Sequence, residues 1–179
     1  MGKIYGMGEE TTLRPVREDD LPMLAELRQD PGKTGEFEWF GWSDVRRWRR
    51  GWDENGLMGP DGGTLIVSRA DKQLGFVNWR RQQLTLAAHC YEIGIILAPE
   101  ARGRGYGTQA QRLLVRHLFA HTTAHRIWAG TEVENIAEQR ALEKAGFTRE
   151  GVMRATGWRN GAWRDGVMYS ILRTDPLPD

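Results

Sequence analysis

The stretch from residue 91 to residue 121 constrains the fold more tightly than any other part of the sequence. Tyr91-Glu92-Ile93-Gly94-Ile95-Ile96-Leu97 has an apolar second half, as a doubly covered central strand would. Ala98-Pro99-Glu100 ends it, and from Gly107 to His121 the apolar residues Ala110, Leu113, Leu114, Leu118 and Phe119 recur at helical spacing. Between strand and helix lies Arg102-Gly103-Arg104-Gly105-Tyr106-Gly107. A phosphate needs several donors converging on a small volume with no side chain in the way. Gly103, Gly105 and Gly107 leave the backbone bare, and a helix starting at Gly107 aims free N–H groups and its positive end at the loop. Arg102 and Arg104 add charge and bidentate reach, and Thr108 a hydroxyl. The segment reads as a cradle for a phosphorylated ligand.

Two nucleotide motifs of similar composition fail. A dinucleotide fingerprint needs its third glycine three positions after the second and an acidic residue about twenty positions later. Here Gly107 follows Gly105 by two, and no such acid is present. Gly32-Lys33-Thr34 imitates the end of a phosphate-binding P-loop, but the glycine required upstream is Leu27, and a helix precedes it where a strand is needed.

The remaining pattern predicts an edge strand over 11–17, with Pro15 suited to an edge, and a helix over 20–29 capped by Asp19 and stopped by Asp30-Pro31-Gly32. A second helix runs from a Ser43 cap to Trp52, and a glycine-rich loop follows over 56–63. Strands are expected at 64–70 and 74–81, joined by Asp71-Lys72-Gln73, then at 126–131, 147–154 and 167–173. A helix over 136–145 closes on Gly146, and 157–166 lies between the last two strands. No repeat or linker divides the 179 residues, so the expectation is one α/β domain with a mixed sheet over 1–179.

With 25 basic and 24 acidic residues, the net charge of +1 gives no general pull toward nucleic acid or a membrane surface. The single cysteine excludes an internal disulfide and a four-thiolate metal site, and Cys90 reads as a buried small hydrophobe rather than an acyl carrier. His117 and His121 share a helix face with His125 beyond, but a helix C-terminus favours histidine on its own account, so no metal is expected. Met1–Gly6 has no apolar run, Gly6 stands where a myristoylation signal wants Ser or Thr, and no stretch approaches membrane-spanning length. A cytoplasmic protein is the expectation.

The loop Arg102–Gly107 matches the (Arg/Gln)-x-x-Gly-x-(Gly/Ala) signature of the GNAT N-acetyltransferase superfamily. Asn135 with Ala141-Leu142-Glu143-Lys144-Ala145-Gly146-Phe147 resembles its RimJ/RimL branch. So do the opening Leu13-Arg14-Pro15 with Asp19-Asp20 and the closing Trp163-x-Asp165-x-x-x-Tyr169-Ser170-x-Leu172, so that the likeness covers about 11–173. The resemblance implies a single GNAT-like domain: a mixed, mostly antiparallel twisted sheet flanked by helices. It implies acetyl-CoA as co-substrate, transferred by direct attack of an amine in a ternary complex. Backbone groups of Ile95, Ile96 and Leu97 would pair with the pantetheine arm as an added strand does. Gly103, Arg104, Gly105, Tyr106, Gly107 and Thr108 would hold the pyrophosphate with Arg102 beside them, and Asn135 would bond the pantetheine amides or bridge to the thioester region. The branch often has a serine three residues after that asparagine, proposed to protonate the departing thiolate; Glu138 stands there. A homodimer is common in the branch, and the sequence leaves that open.

N-acetylation needs a neutral amine, donors for an oxyanion and a proton for the leaving thiolate. Glu92, three residues before Ile95, is the first candidate for the base, directly or through water, on the strength of the resemblance; the plain alternative is that it makes a structural hydrogen bond or only binds the substrate cation. Glu36, Glu38 and Asp165 are the other acidic candidates, and Tyr106 and Tyr169 carry hydroxyls that could act as acids. The eight tryptophans include Trp39, Trp42, Trp48 and Trp52, close to Phe37 and Phe40. Such a cluster serves either a core or a flat-walled pocket. In the second reading Phe37, Trp39 and Trp42 stack on a small-molecule amine (an antibiotic, amino sugar or amino-acid derivative) that Glu36 and Glu38 attract as a cation. The alternatives are a protein N-terminus as acceptor, as for the namesakes of the branch, and a non-catalytic acyl-CoA-binding module.

Overall fold

The structure is a computed structural model describing residues 10–178, so the Met1–Gly6 segment lies outside the described residues. The elements run β1 (Thr12–Pro15), α1 (Leu21–Gln29), α2 (Pro31–Thr34), α3 (Arg46–Asn55), β2 (Met58–Gly59), β3 (Gly62–Arg69), β4 (Lys72–Thr85) and β5 (Ala88–Leu97). There follow α4 (Tyr106–His121), β6 (Arg126–Glu132), α5 (Ile136–Lys144), β7 (Thr148–Arg159) and β8 (Ala162–Leu172). The strands form one sheet in the order β1-β3-β4-β5-β6-β8-β7, with β2 added to β3. Among the described residues only the β5–β6 pairing is parallel, as a connection through α4 requires. A single mixed, mostly antiparallel sheet flanked by helices is the architecture expected.

Alternation along β5 divides the interior in two. Ile93 and Ile127 pack with Leu114, Leu118 and Leu142 in a core under α4 and α5. Ile96, on the other face, joins Phe76, Leu24, Leu27 and Trp48 under α1 and α3. Trp48 is 7% exposed and sets its ring edge-on to Phe76 at 5.5 Å, so the core use of the tryptophan cluster holds for this residue.

Three local expectations are corrected. Asp30 does not simply stop α1: its carboxylate accepts from Gly32 N–H at 2.8 Å and caps the short α2. Ser43 is not a cap, since α3 begins at Arg46 with Val45 before it. Residues 157–166 do not separate two strands but extend them into a long hairpin, turning at Asn160 (φ 50°) and Gly161 (φ 75°). Two consecutive left-handed residues make the turn that matches strand twist, and Asn-Gly was its sequence signal.

Asp20, rather than Asp19, ties the N-terminal strand to this frame. It is 1% exposed and takes two bonds from Arg14 (2.6 and 2.7 Å) and one from the Arg17 N–H (2.6 Å). Burial alone would raise this carboxyl, but the Arg14 and Arg17 bonds outweigh it and hold it below the usual carboxylate range. Asp20→Asn would leave Arg14 buried beside a neutral group and is expected to cost about 3–5 kcal/mol, read by urea denaturation at pH 7. Because the folded carboxyl titrates low, the difference between wild type and variant should shrink as pH falls through that lowered value. A loss that stays constant with pH would mean packing, not charge, holds the strand.

Candidate functional site

Parallel pairing between β5 and β6 lasts two residues, Tyr91↔Ile127 and Glu92↔Trp128. Beyond them the strands part, while β5 stays paired to β4 on its other edge as far as Gly75↔Leu97. A cavity of about 580 Å³ fills the opening. One wall is Ile93–Leu97, whose β6-facing edge offers backbone donors and acceptors to an added strand. The opposite wall is α5, which presents Asn135, Glu138, Ala141 and Lys144, three residues apart and so on one face.

The glycine loop closes one end. Gly103 (φ 70°) and Gly105 (φ 81°) are left-handed, and a Cβ built on either meets nothing within 4 Å. The conformation demands glycine, and the space before the backbone is open. Both line the cavity with Gly107 and Thr108, and α4 starts at Tyr106 with its first N–H groups toward it. This matches the phosphate cradle read from the sequence. Arg140 and Lys144 of α5 line the cavity as well, two cations that the sequence reading missed. Their spacing of four in a helix was the available signal.

Arg102 lies at this end but has another employment. Its Nε donates to the Leu97 carbonyl (3.0 Å), and its Nη2 donates to the carbonyls of Lys33 and Thr34 (3.1 Å to the latter). The guanidinium expected on phosphate is a clamp that fastens α2 to the end of β5. Arg104 and Tyr106 do not line the cavity; the Tyr106 hydroxyl accepts from Arg69 at 2.6 Å, and that guanidinium lies over its ring.

The other end is acidic. Glu36, Phe37 and Glu38 reach the cavity from the segment after α2. Phe37 is held under the Arg159 guanidinium (5.3 Å), and Arg159, 3% exposed, makes a two-pronged ion pair with Glu132 at 2.5 and 2.7 Å. Arg159 comes from the hairpin that the sequence reading left as a connection, so this anchor was missed. Trp39 and Trp42 do not line the cavity; they pack edge to face at 6.0 Å, with Trp42 81% exposed.

Burial raises the Glu38 carboxyl, Arg28 opposes this, and the Glu132 charge adds to it. The Glu138 carboxyl is pushed up to about 8 by burial, against a bond from Gln111 and with the Glu38 charge adding. Two carboxyls facing one cavity cannot both ionise freely. A group that binds its proton more tightly folded than unfolded makes the fold less stable as pH rises from about 5 to about 8. Glu138→Gln should therefore match wild type near pH 5 and exceed it at pH 8 by on the order of a few kcal/mol in chemical denaturation. Parallel stability profiles would mean the carboxyl is ionised in the folded protein.

The other candidates lie elsewhere. Glu92 sits at the closed end of the split on the α1 face, 22% exposed, where Arg80 Nε (2.5 Å) and Gln82 Nε2 (2.9 Å) both donate to its Oε2. It does not line the cavity, and its plain structural reading fits this placement. Asp165 accepts from the Ala155 N–H (2.7 Å) and steadies a β7 bulge. Tyr169 is fully buried and donates to Glu143 at 2.9 Å, and Cys90 is buried with its thiol pushed up by burial. The rings of His117 and His121 stand 4.8 Å apart, with Trp79 edge-on to the first at 6.1 Å. No helix among the described residues is long and apolar enough to cross a membrane.

Comparison with known proteins agrees with this geometry. Residues 10–148 match the family described as the acetyltransferase (GNAT) domain. The protein described as "Uncharacterized N-acetyltransferase p20" of Bacillus licheniformis is 25% identical over 171 residues, 93% of this chain and 95% of its own. The protein described as "Probable N-acetyltransferase YjcK" of Bacillus subtilis is 41% identical over 83 residues, so the likeness spans about half its length (46%). The spermidine N-acetyltransferase of Vibrio cholerae in complex with CoA and spermine shares the fold at a TM-score of 0.79 with 21% identity, over 92% of this chain and 96% of that one. The ribosomal L7/L12 acetyltransferase RimL in complex with coenzyme A also scores 0.79 with 19% identity, over 96% and 98%. With the family's sequence pattern lying on a split sheet and a glycine cradle, the chain belongs to the GNAT acetyltransferases.

Proposed function

We propose that this protein moves the acetyl group of acetyl-CoA, the donor of its family, to a small primary amine that enters as an ammonium. The observation that carries the reading is the division of one cavity by charge: bare cradle and cations at one end, Glu36 and Glu38 at the other, with Glu138 on the wall between them. The residues present fit the donor. Gly103, Gly105, Gly107 and Thr108 would hold its pyrophosphate with Arg140 and Lys144 near by, and the free edge of Ile93–Ile96 its extended arm. Bound there, it supplies an activated acetyl group.

The protein's own residues supply the rest. Glu38 attracts the cationic acceptor and receives its proton; burial keeps it a better base than an exposed carboxylate. Phe37, pinned by Arg159, gives the acceptor a flat apolar surface. Asn135 caps α5 by accepting from the Glu138 N–H (3.3 Å) and donates to Thr131 Oγ1 (2.9 Å), which fixes the helix start against β6. A protein N-terminus is the second reading, favoured by the aromatic surface of Phe40, Trp42, Trp158 and Trp163, all more than half exposed.

Gly105→Glu puts a charged side chain on a left-handed residue lining the cradle and should abolish acetyl-CoA binding in calorimetric titration, while the backbone strain costs about 1–2 kcal/mol and leaves the protein folded. Retained affinity would place the pyrophosphate elsewhere. A panel of free amines and N-terminal peptides should show turnover with the amines. On the best of these Glu38→Gln should lower kcat/KM about 100-fold and Glu92→Gln only about threefold. The reverse ranking would return the base to Glu92, and turnover with peptides alone would favour the protein acceptor.

A further inference from the structure

Resting on this reading of the cavity, we propose that Glu138 is the acid that protonates the sulfur departing on acetyl transfer, with Glu38 as the carboxylate that keeps that proton in place. The first ground is position. α5 runs along the cavity from Asn135, beside the split, to Ala141, whose carbonyl accepts from Thr108 of the cradle at 3.4 Å. Glu138 lies one turn from each, between the end that takes phosphate and the end that takes the amine. The bond to be broken has to lie between those two ends.

The second ground is what the side chain is not doing. Asn135-x-x-Glu138 has the spacing of a capping box, in which the glutamate would turn back to the Asn135 N–H. That N–H donates instead to the Glu132 carbonyl at 2.9 Å. Glu138 turns inward, where Gln111 of α4 donates from Nε2 to its Oε1. Gln111 is 2% exposed, and its Oε1 is buried without a partner. An amide in this place can present either atom, and the reversed orientation gives the unpartnered oxygen the Glu138 O–H as donor. With Nε2 toward Glu138 the amide holds Oε1, so the proton of the neutral carboxyl sits on Oε2 and is available for transfer; the reversed amide would hold that proton itself.

The electrostatics suit the task. Glu138 faces Gln111 from α4 and the charge of Glu38 from the segment after α2. Glu38 in turn feels Arg28 of α1 and Glu132 of β6, and the Glu132 charge is matched by Arg159. The cations of α5, Arg140 and Lys144, lie toward the cradle. A carboxyl titrating at about 8 is protonated at pH 7, and it lies close to an alkyl thiol at about 8.5, the match that makes proton transfer effective.

The step balances. The ammonium gives one proton to Glu38, and the neutral nitrogen forms the C–N bond as the C–S bond breaks with its electron pair on sulfur. Glu138 delivers its proton to that sulfur. The amide nitrogen sheds its second proton to the ionised Glu138, and Glu38 releases the first to water.

The test begins without substrate. Infrared difference spectra of the purified protein should show a protonated-carboxyl band at pH 7 that titrates near pH 8, disappears in Glu138→Gln and titrates lower in Glu38→Gln. With the best amine, Glu138→Gln should lower kcat about 100-fold with little change in the KM for acetyl-CoA. It should also lose the fall in kcat above pH 8, and Glu138→Ser should recover part of the rate. Absence of the band, or a Glu138→Gln kcat within about twofold of wild type, overturns the assignment. If no amine is turned over by wild type, the acceptor reading fails, and the band and its response to Glu38→Gln still decide where the proton sits. Should Glu138→Gln not fold, the Glu38→Gln shift alone decides it.

Discussion

The two-residue length of the β5–β6 pairing governs the rest of the molecule. On either side the ladders are long: β4 with β5 from Gly75 to Thr85, and β6 with β8 from Arg126 to Glu132. Each half of the sheet is therefore stiff, and the gap between them cannot close by local fraying. Both halves send side chains into the core under α4 and α5, where Ile93, Ile127 and Ala129 pack together, so apolar burial holds the split open as well as holding the sheet together. An open sheet edge is normally a hazard for aggregation. Here it is recessed in a cavity walled by α5 and bounded by the Arg102 clamp, which restricts what can add to it to an extended, narrow chain.

Charge then gives the cavity a direction. The positive end of α4 and the two cations of α5 lie at the cradle, and the carboxyls of Glu36 and Glu38 lie at the far end. An anionic donor and a cationic acceptor are each drawn to one end and repelled from the other, so their reactive groups meet in the middle. The near-neutral composition concealed this, because a net charge of +1 carries no information about how the charges are distributed.

What could be read from the sequence was what depends on neighbours in the chain. The strand, glycine loop and helix over 91–121 are set by local periodicity and by two positive-φ glycines, and they formed where that pattern put them. The extent of the β7–β8 hairpin was hidden because its pairing joins residues with little alternation, broken by bulges at Arg149/Gly151 and Met153/Gly157. The site was legible on its donor side and obscure on its acceptor side for a related reason. Arg102 in a glycine loop looks like a phosphate ligand until Lys33 and Thr34, far away in sequence, offer it carbonyls. Glu92 looks like a free carboxylate until β4 sets Arg80 directly opposite. Trp48 and Trp42 are six residues apart in one tryptophan-rich segment, and only the packing of α3 sends one into the core and leaves the other in solvent.

Position 138 shows how far such long-range contacts can override a local rule. Seen along the chain, a glutamate at the third position of a helix that starts with asparagine is a stabilising cap, ionised and favoured by the helix dipole. Seen across the fold, the same carboxyl is desolvated and set against a second carboxylate, and these two together outweigh the dipole and the bond from Gln111. A serine hydroxyl at this place donates a proton at any working pH. A carboxyl does so only while it is protonated, so its usefulness depends on Glu38 and on everything that sets the charge of Glu38. The substitution thus couples the two ends of the reaction: a cation arriving at Glu38 neutralises the charge that holds the Glu138 proton, and loosens that proton when the amine is in place to need its transfer.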